Sequence, residues 1–203
     1  MVQTFALEHI PSDRPVHVGL FRHVRNSASL KQQLLAGNPE YEYAFIDASV
    51  IVSTVHALSA VYRALHDALQ GRLKTRNVHS EIVFALSPSY NIAESFRRYG
   101  VGEATSSLLA IKVSTDASIT HDSVEKHLSE IVEGEAVEFT DDNLSSMTDV
   151  ETVRKYYKLK LSGGKKVGTA SAKAVNGVSD SDVRETKDLE AAILGAMALR
   201  GAG

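Results

Sequence analysis

The chain has no cysteine, so no disulfide, thiolate zinc site or cysteine nucleophile is open to it. That fits a reducing compartment. No apolar run approaches the roughly 20 residues that a membrane helix needs. The opening residues also lack the basic-then-apolar order of a secretory signal. The expectation is a soluble, intracellular protein with no membrane partner. Motifs for chemistry are missing too. Gly163-Gly-Lys-Lys ends like a phosphate loop, but Leu159 stands where the first glycine belongs and Lys166 where Ser or Thr belongs. Gly100-Val-Gly fails as a dinucleotide fingerprint because Thr105 holds the third glycine position. His121, Glu125 and His127 lack zinc-ligand spacing. No Gly-x-Ser-x-Gly elbow exists. Neither catalysis nor a cofactor nor a metal is expected.

What is present is a 203-residue chain with a net charge of −3, a length that suits one domain with a substantial core. The charge is unevenly laid out. Asp116 to Glu151 holds eleven acids and one base, whereas Thr152 to Lys173 holds seven bases and no acid. Such blocks are usually solvated faces; the alternative is a basic strip that steers an anionic partner.

Strands are expected at Thr4–Leu7, Val16–Phe21, Ala44–Ile46, Glu81–Leu86, Leu108–Val113 and Ala136–Phe139. Glu81–Leu86 is apolar on both faces, as a central covered strand would be. Helices are expected from Asn26 or Ser27 to Gly37, from about Val55 to Gly71, over His121–Leu128, from Val150 to Leu161 and over Asp188–Leu199. In the second of these, Val55, Leu58, Tyr62, Leu65 and Leu69 repeat as a buried stripe, with Ser59, Arg63, His66 and Gln70 on the wet side. The most informative stretch is Ser87–Val101. Asn91 can cap a short helix, Glu94 suits a capping box, Ile92, Phe96 and Tyr99 share one face, and Gly100 is a left-handed stop. The class is mixed α/β (α+β), a single domain with a four- or five-stranded mixed sheet carrying helices. Its core is residues 1–161, followed by a flexible insertion at 162–186 rich in Gly, Ser, Lys and Ala, and a C-terminal helix at 187–203.

Several segments together resemble a known family. They are Leu20-Phe-Arg-His-Val-Arg-Asn, Asp47-Ala-Ser-Val-Ile-Val, Arg72-Leu-Lys-Thr-Arg, Ser80-Glu-Ile-Val-Phe, Ser87-Pro and Asn91-Ile-Ala-Glu-Ser-Phe-Arg-Arg-Tyr-Gly. The resemblance covers about Thr4 to Leu159 and the last turns. It is to the small kinase-binding subunit of the KEOPS (EKC) complex, the PRPK-binding protein family, in a fungal form. The resemblance implies a non-catalytic subunit of an assembly that makes threonylcarbamoyladenosine next to the tRNA anticodon. Its direct partner would be the atypical kinase, whose ATPase it stimulates. A metal-dependent transferase would be reached through that kinase, and tRNA would be bound as well. It further implies nuclear (chromosome, telomere) and cytoplasmic locations and a link to transcription. The alternatives are a free-standing RNA-binding module and a small acyl-transfer enzyme.

Two residue sets carry this expectation. Ile92, Phe96, Tyr99, Ile193, Leu194, Met197 and Leu199 are candidates for the kinase contact. Leu189, Ile193 and Met197 form one stripe of the final helix, while Leu194 and Leu199 fall outside it. Arg22, Arg25, Arg72, Lys74, Arg76, Arg97 and Arg98 are candidates for tRNA phosphates. Tyr90 could stack on a base or cover the core.

Overall fold

A computed structural model describes residues 1–159 and 180–200, with the side chains of 180–184 left aside. Strand β2 (Val16–Arg22) is buried almost throughout and organises the sheet. On one edge it pairs with β4 (Leu108–Val113), which in turn pairs with β3 (Ala44–Asp47). Its other edge is shared by β1 (Val2–Phe5) and β5 (Glu135–Val137). Every ladder is antiparallel, where a mixed sheet was expected. The connections from β2 to β4 are long, so nothing local in the sequence dictates strand direction.

Alternation along the strands divides the core in two. Val16, Val18, Leu20, Ala44, Ile46, Leu109 and Ile111 face the larger cluster. Phe21, Phe45, Leu108 and Ala110 face the smaller one, with Val124 and Leu128 of helix α5 (His121–Ile131). Gly19 lets α5 lie close. A Cβ there would stand 3.0 Å from the Phe21 ring and 3.1 Å from Leu128.

The sharpest correction falls on the expected central strand. Residues 78–85 form helix α3 (Val78–Ala85), capped by Asn77, whose side chain accepts the Ser80 amide at 2.8 Å. A short run apolar on every side suits a buried helix as well as a covered strand. The cap and Glu81 decide between them. Glu81 is 1% exposed and accepts from the Lys74 amide, the Thr75 amide and the Thr75 hydroxyl.

Helix α2 (Thr54–Leu69) exists as expected but buries a different face. His56, Ala57, Ala60, Val61, Ala64 and Leu65 are inside, while Val55, Tyr62 and Leu69 are exposed. The small alanines let α3 approach closely, and that packing outweighs the larger side chains on the outer stripe.

Helix α4 (Ile92–Tyr99) is capped by Asn91, which accepts the Glu94 amide at 3.0 Å. Glu94 does not close a capping box; it pairs with Arg97 at 2.6 Å and Arg98 at 2.5 Å. Those two arginines, Arg97 first, hold its carboxyl below the usual carboxylate range. Gly100 is not a left-handed stop, since its φ is −72°. Glycine is needed there because a Cβ would lie 2.7 Å from the Phe96 carbonyl oxygen.

Helix α1 (Ser27–Leu35) follows the expectation, but Asn26 uses its side chain to bind the Ile131 carbonyl and the Glu133 amide. Helices α6 (Asp141–Met147) and α7 (Val150–Tyr156) follow β5. Helix α8 (Asp180–Ala198) begins earlier than the expected Asp188. Most of the expected insertion at 162–186 lies outside the described residues. Among the described residues, no group of three or more His, Asp or Glu is placed to hold a metal, and no helix is long and apolar enough to cross a membrane.

Candidate functional site

Helix α8 lies along α2 and runs the same way. Ser53, the cap of α2, donates to the Glu190 carboxylate, and Arg63 further on donates to the Met197 carbonyl. Leu189, Ile193 and Met197 are 7%, 0% and 4% exposed and sit in the main core. Ile193 and Met197 are therefore not available to a partner in the docked chain. Tyr99 is not available either. It is fully buried, edge-on to Tyr156 and Tyr157 at 5.7 and 5.9 Å. Periodicity marks an apolar stripe without saying which side of it meets protein, and these three residues meet the chain's own core.

The rest of that set does reach the surface. Leu199 is 70% exposed, Ile92 and Phe96 are each 38% exposed, and Leu194 is half-buried. The fold also brings in a residue the sequence left ambiguous. Tyr90, 58% exposed, places its hydroxyl 3.5 Å from the Arg200 carbonyl oxygen. The start of α4 and the end of α8, about a hundred residues apart in sequence, are thereby joined at Tyr90 and Arg200. Between them the two segments expose four large apolar side chains, Tyr90, Ile92, Phe96 and Leu199. Arg63, Tyr90 and Arg200 give no local sequence signal for this, because their partners are distant backbone carbonyls.

The basic residues do not converge. Strand register places Phe21 opposite Leu108 and Val16 opposite Val113. Arg22, the last residue of β2 and opposite Glu135 of β5, and Arg25 just after it therefore lie at the Phe21–Leu108 end of the sheet. His79, in the first turn of α3, accepts the Val113 amide, so the Arg72–Arg76 loop that precedes α3 belongs to the other end. Five residue steps of strand separate the two ends by about 17 Å. Arg97 and Arg98 form a third group beside α7, with Arg98 stacked 5.0 Å from the Tyr156 ring. Several of these charges are already paired: Arg22 with Glu135 at 2.5 Å, Arg72 with Asp67 at 3.1 Å, and Arg97 and Arg98 with Glu94. Lys74, Arg76 and Arg25 make no ion pair among the described residues.

A family model described as "Kinase binding protein CGI-121" matches residues 21–201. A protein of Aspergillus fumigatus named EKC/KEOPS complex subunit cgi121 is 48% identical over 201 residues, covering 99% of this chain and 97% of its own. The like-named subunit of Gibberella zeae is 47% identical, with 98% of each chain covered. That of Yarrowia lipolytica is 34% identical, covering 93% of this chain and 95% of its own. A family match spanning most of the sequence, together with near full-length relatives, shows that this chain belongs to the CGI-121 family of kinase-binding proteins.

Proposed function

We propose that the chain is the non-catalytic, kinase-binding subunit of an EKC/KEOPS complex. The names of its relatives support that membership, and the family description supports the kinase as direct partner. The observation that carries the reading is the set of exposed apolar side chains Tyr90, Ile92, Phe96 and Leu199 on two segments joined at Tyr90 and Arg200. In this reading the protein acts on the kinase by differential contact, favouring one conformation of it and stimulating its ATPase. The metal-dependent transferase is reached through the kinase. The assembly modifies tRNA next to the anticodon, with linked roles at telomeres and in transcription, in the nucleus and the cytoplasm.

The direct test is capture of the kinase subunit by purified chain. Leu199→Glu and Phe96→Glu, made separately, should each weaken capture about 30-fold, the effect of losing a central apolar contact. Circular dichroism should stay unchanged, because both side chains are exposed. Wild-type affinity in both variants would place the kinase on another face.

A tRNA role is tested separately. Reversal of Arg72, Lys74 and Arg76 to Glu should weaken tRNA binding by the assembled complex and reduce the slope of affinity against salt. Lys74 and Arg76 should account for most of the loss, since Arg72 is engaged by Asp67. Unchanged binding and slope would exclude that loop. The scatter of basic residues over three places speaks against a free-standing RNA-binding module.

A further inference from the structure

Leu199 is exposed between two anchors. Met197, two residues before it, is packed in the core, and Arg200, the residue after it, is 7% exposed. Arg63 holds the same turn from outside, donating to the carbonyls of Met197 and Arg200. A leucine so placed is held out by the fold. A leucine on a frayed helix end would also be exposed, but it would have to be ordered at each binding event.

Arg200 accounts for much of that hold. Its guanidinium donates to the Phe84 carbonyl and, at 3.4 Å, to the Ser87 carbonyl. These oxygens lie at and just past the C-terminal end of α3, where the dipole favours a cation; the Phe84 oxygen also accepts the Ser87 amide at 3.1 Å. The guanidinium also lies 4.1 Å from the Phe84 ring centroid and 5.8 Å from that of Tyr90. One planar group thus touches α3 and the loop that starts α4 while ending α8. Burial lowers the Arg200 pKa, and Arg63 adds to that effect; Glu81 opposes it. Glu81 Oε1 and Arg200 Nε are both buried and without a hydrogen-bond partner among the described residues. The Glu81 charge favours the charged guanidinium without forming an ion pair with it among the described residues. Lysine offers a point charge but neither the fork nor the stacking plane.

We infer that Arg200 is a positioning residue for the partner surface: it hooks the end of α8 beneath Phe84 and Tyr90, so that Leu199 and Tyr90 are presented together. This rests on the kinase-binding reading, and the experiment keeps the two apart. The full chain is made as Arg200→Lys, Arg200→Met and Leu199→Glu. Affinity for the kinase subunit is measured by titration calorimetry, and amide exchange is followed in the free chain. Both Arg200 variants should bind at least 10-fold more weakly. Their exchange should rise at Ser87–Ser95 and in the last turn of α8, with β2 and β4 unchanged. Leu199→Glu should lose binding with exchange unaltered.

If Arg200→Lys binds like wild type, the hook is not what presents the surface and the inference fails. It also fails if binding falls with no change in exchange, since Arg200 would then be a direct contact. Faster exchange with full affinity overturns it as well. If Arg200→Met does not fold, Arg200→Lys, which keeps the charge facing Glu81, decides alone. Wild-type affinity in Leu199→Glu would place the kinase contact away from Leu199 and also fail the inference, whereas a wild-type chain that does not bind the kinase subunit would overturn the kinase-binding reading itself.

Discussion

Met197→Glu should lower the melting temperature by about 10 °C or more, whereas Leu199→Glu, two residues away, should leave it within a degree or two. Met197 is 4% exposed inside the main core, and Leu199 is 70% exposed. A carboxylate at 197 would be desolvated in the apolar core, or would take up a proton and lose the methionine's packing. An unpaired buried charge costs about 3–5 kcal/mol. In a domain of this length each kcal/mol moves the midpoint by about 2–4 °C. Both residues were expected at the kinase contact on sequence pattern alone, so the pair is a clean discriminator. Equal melting temperatures in the two variants, followed by thermal circular dichroism, would mean that the inner stripe of α8 is not packed as described.

The second large effect is acid sensitivity between pH 7 and 5. His56 is fully buried and accepts the Val52 amide at Nδ1, so Nε2 carries its proton and donates to the Tyr157 hydroxyl. Tyr157 in turn donates to the Leu86 carbonyl. The network holds α2, α3 and α7 together with neutral imidazole, and burial pulls His56 down to about 3. In the unfolded chain His56 titrates near 6.5. Between those values the unfolded state binds the extra proton, so stability falls as pH falls. At pH 5 His56 alone removes about 2 kcal/mol relative to pH 7, from 1.36 kcal/mol per unit.

Buried His17 and His79 are shifted the same way, first by desolvation. His121 is raised by Asp122 and acts in the opposite sense, adding stability as it protonates. It lies at the surface, where the pairing is screened. Urea unfolding at pH 7, 6 and 5 measures the slope, and His56→Gln should flatten it by close to one proton. An identical slope in that variant, or stability flat over the range, would show that His56 is not held neutral. Carboxylates such as Glu42 and Asp149, depressed in the fold, add their own losses only at lower pH.

Much of the chain was decided locally and was legible as sequence. Asn91 followed by Ile92, Phe96 and Tyr99 makes α4, because a cap and a 3.6-residue repeat act within one turn or two. Strands β2 and β4 and the inner stripe of α8 were equally readable, and the motifs around Leu20, Asp47 and Asn91 were enough to point to the family. Where the sequence misled, the deciding contact was distant. Residues 81–86 could be strand or helix until the Asn77 cap and the buried Glu81 network chose helix. The outer stripe of α2 looks buried until α3 and α8 pack on its alanines. Sheet direction hung on connections too long to constrain it. The partner surface is the fullest case. The sequence offered seven apolar candidates, but only tertiary packing could divide them, sending Tyr99, Ile193 and Met197 inward and leaving Ile92, Phe96 and Leu199 outside. The hydrogen bonds that hold the end of α8 in place run from Arg63, Tyr90 and Arg200 to backbone carbonyls, and a carbonyl is the same group at every residue, so no side-chain pattern records it.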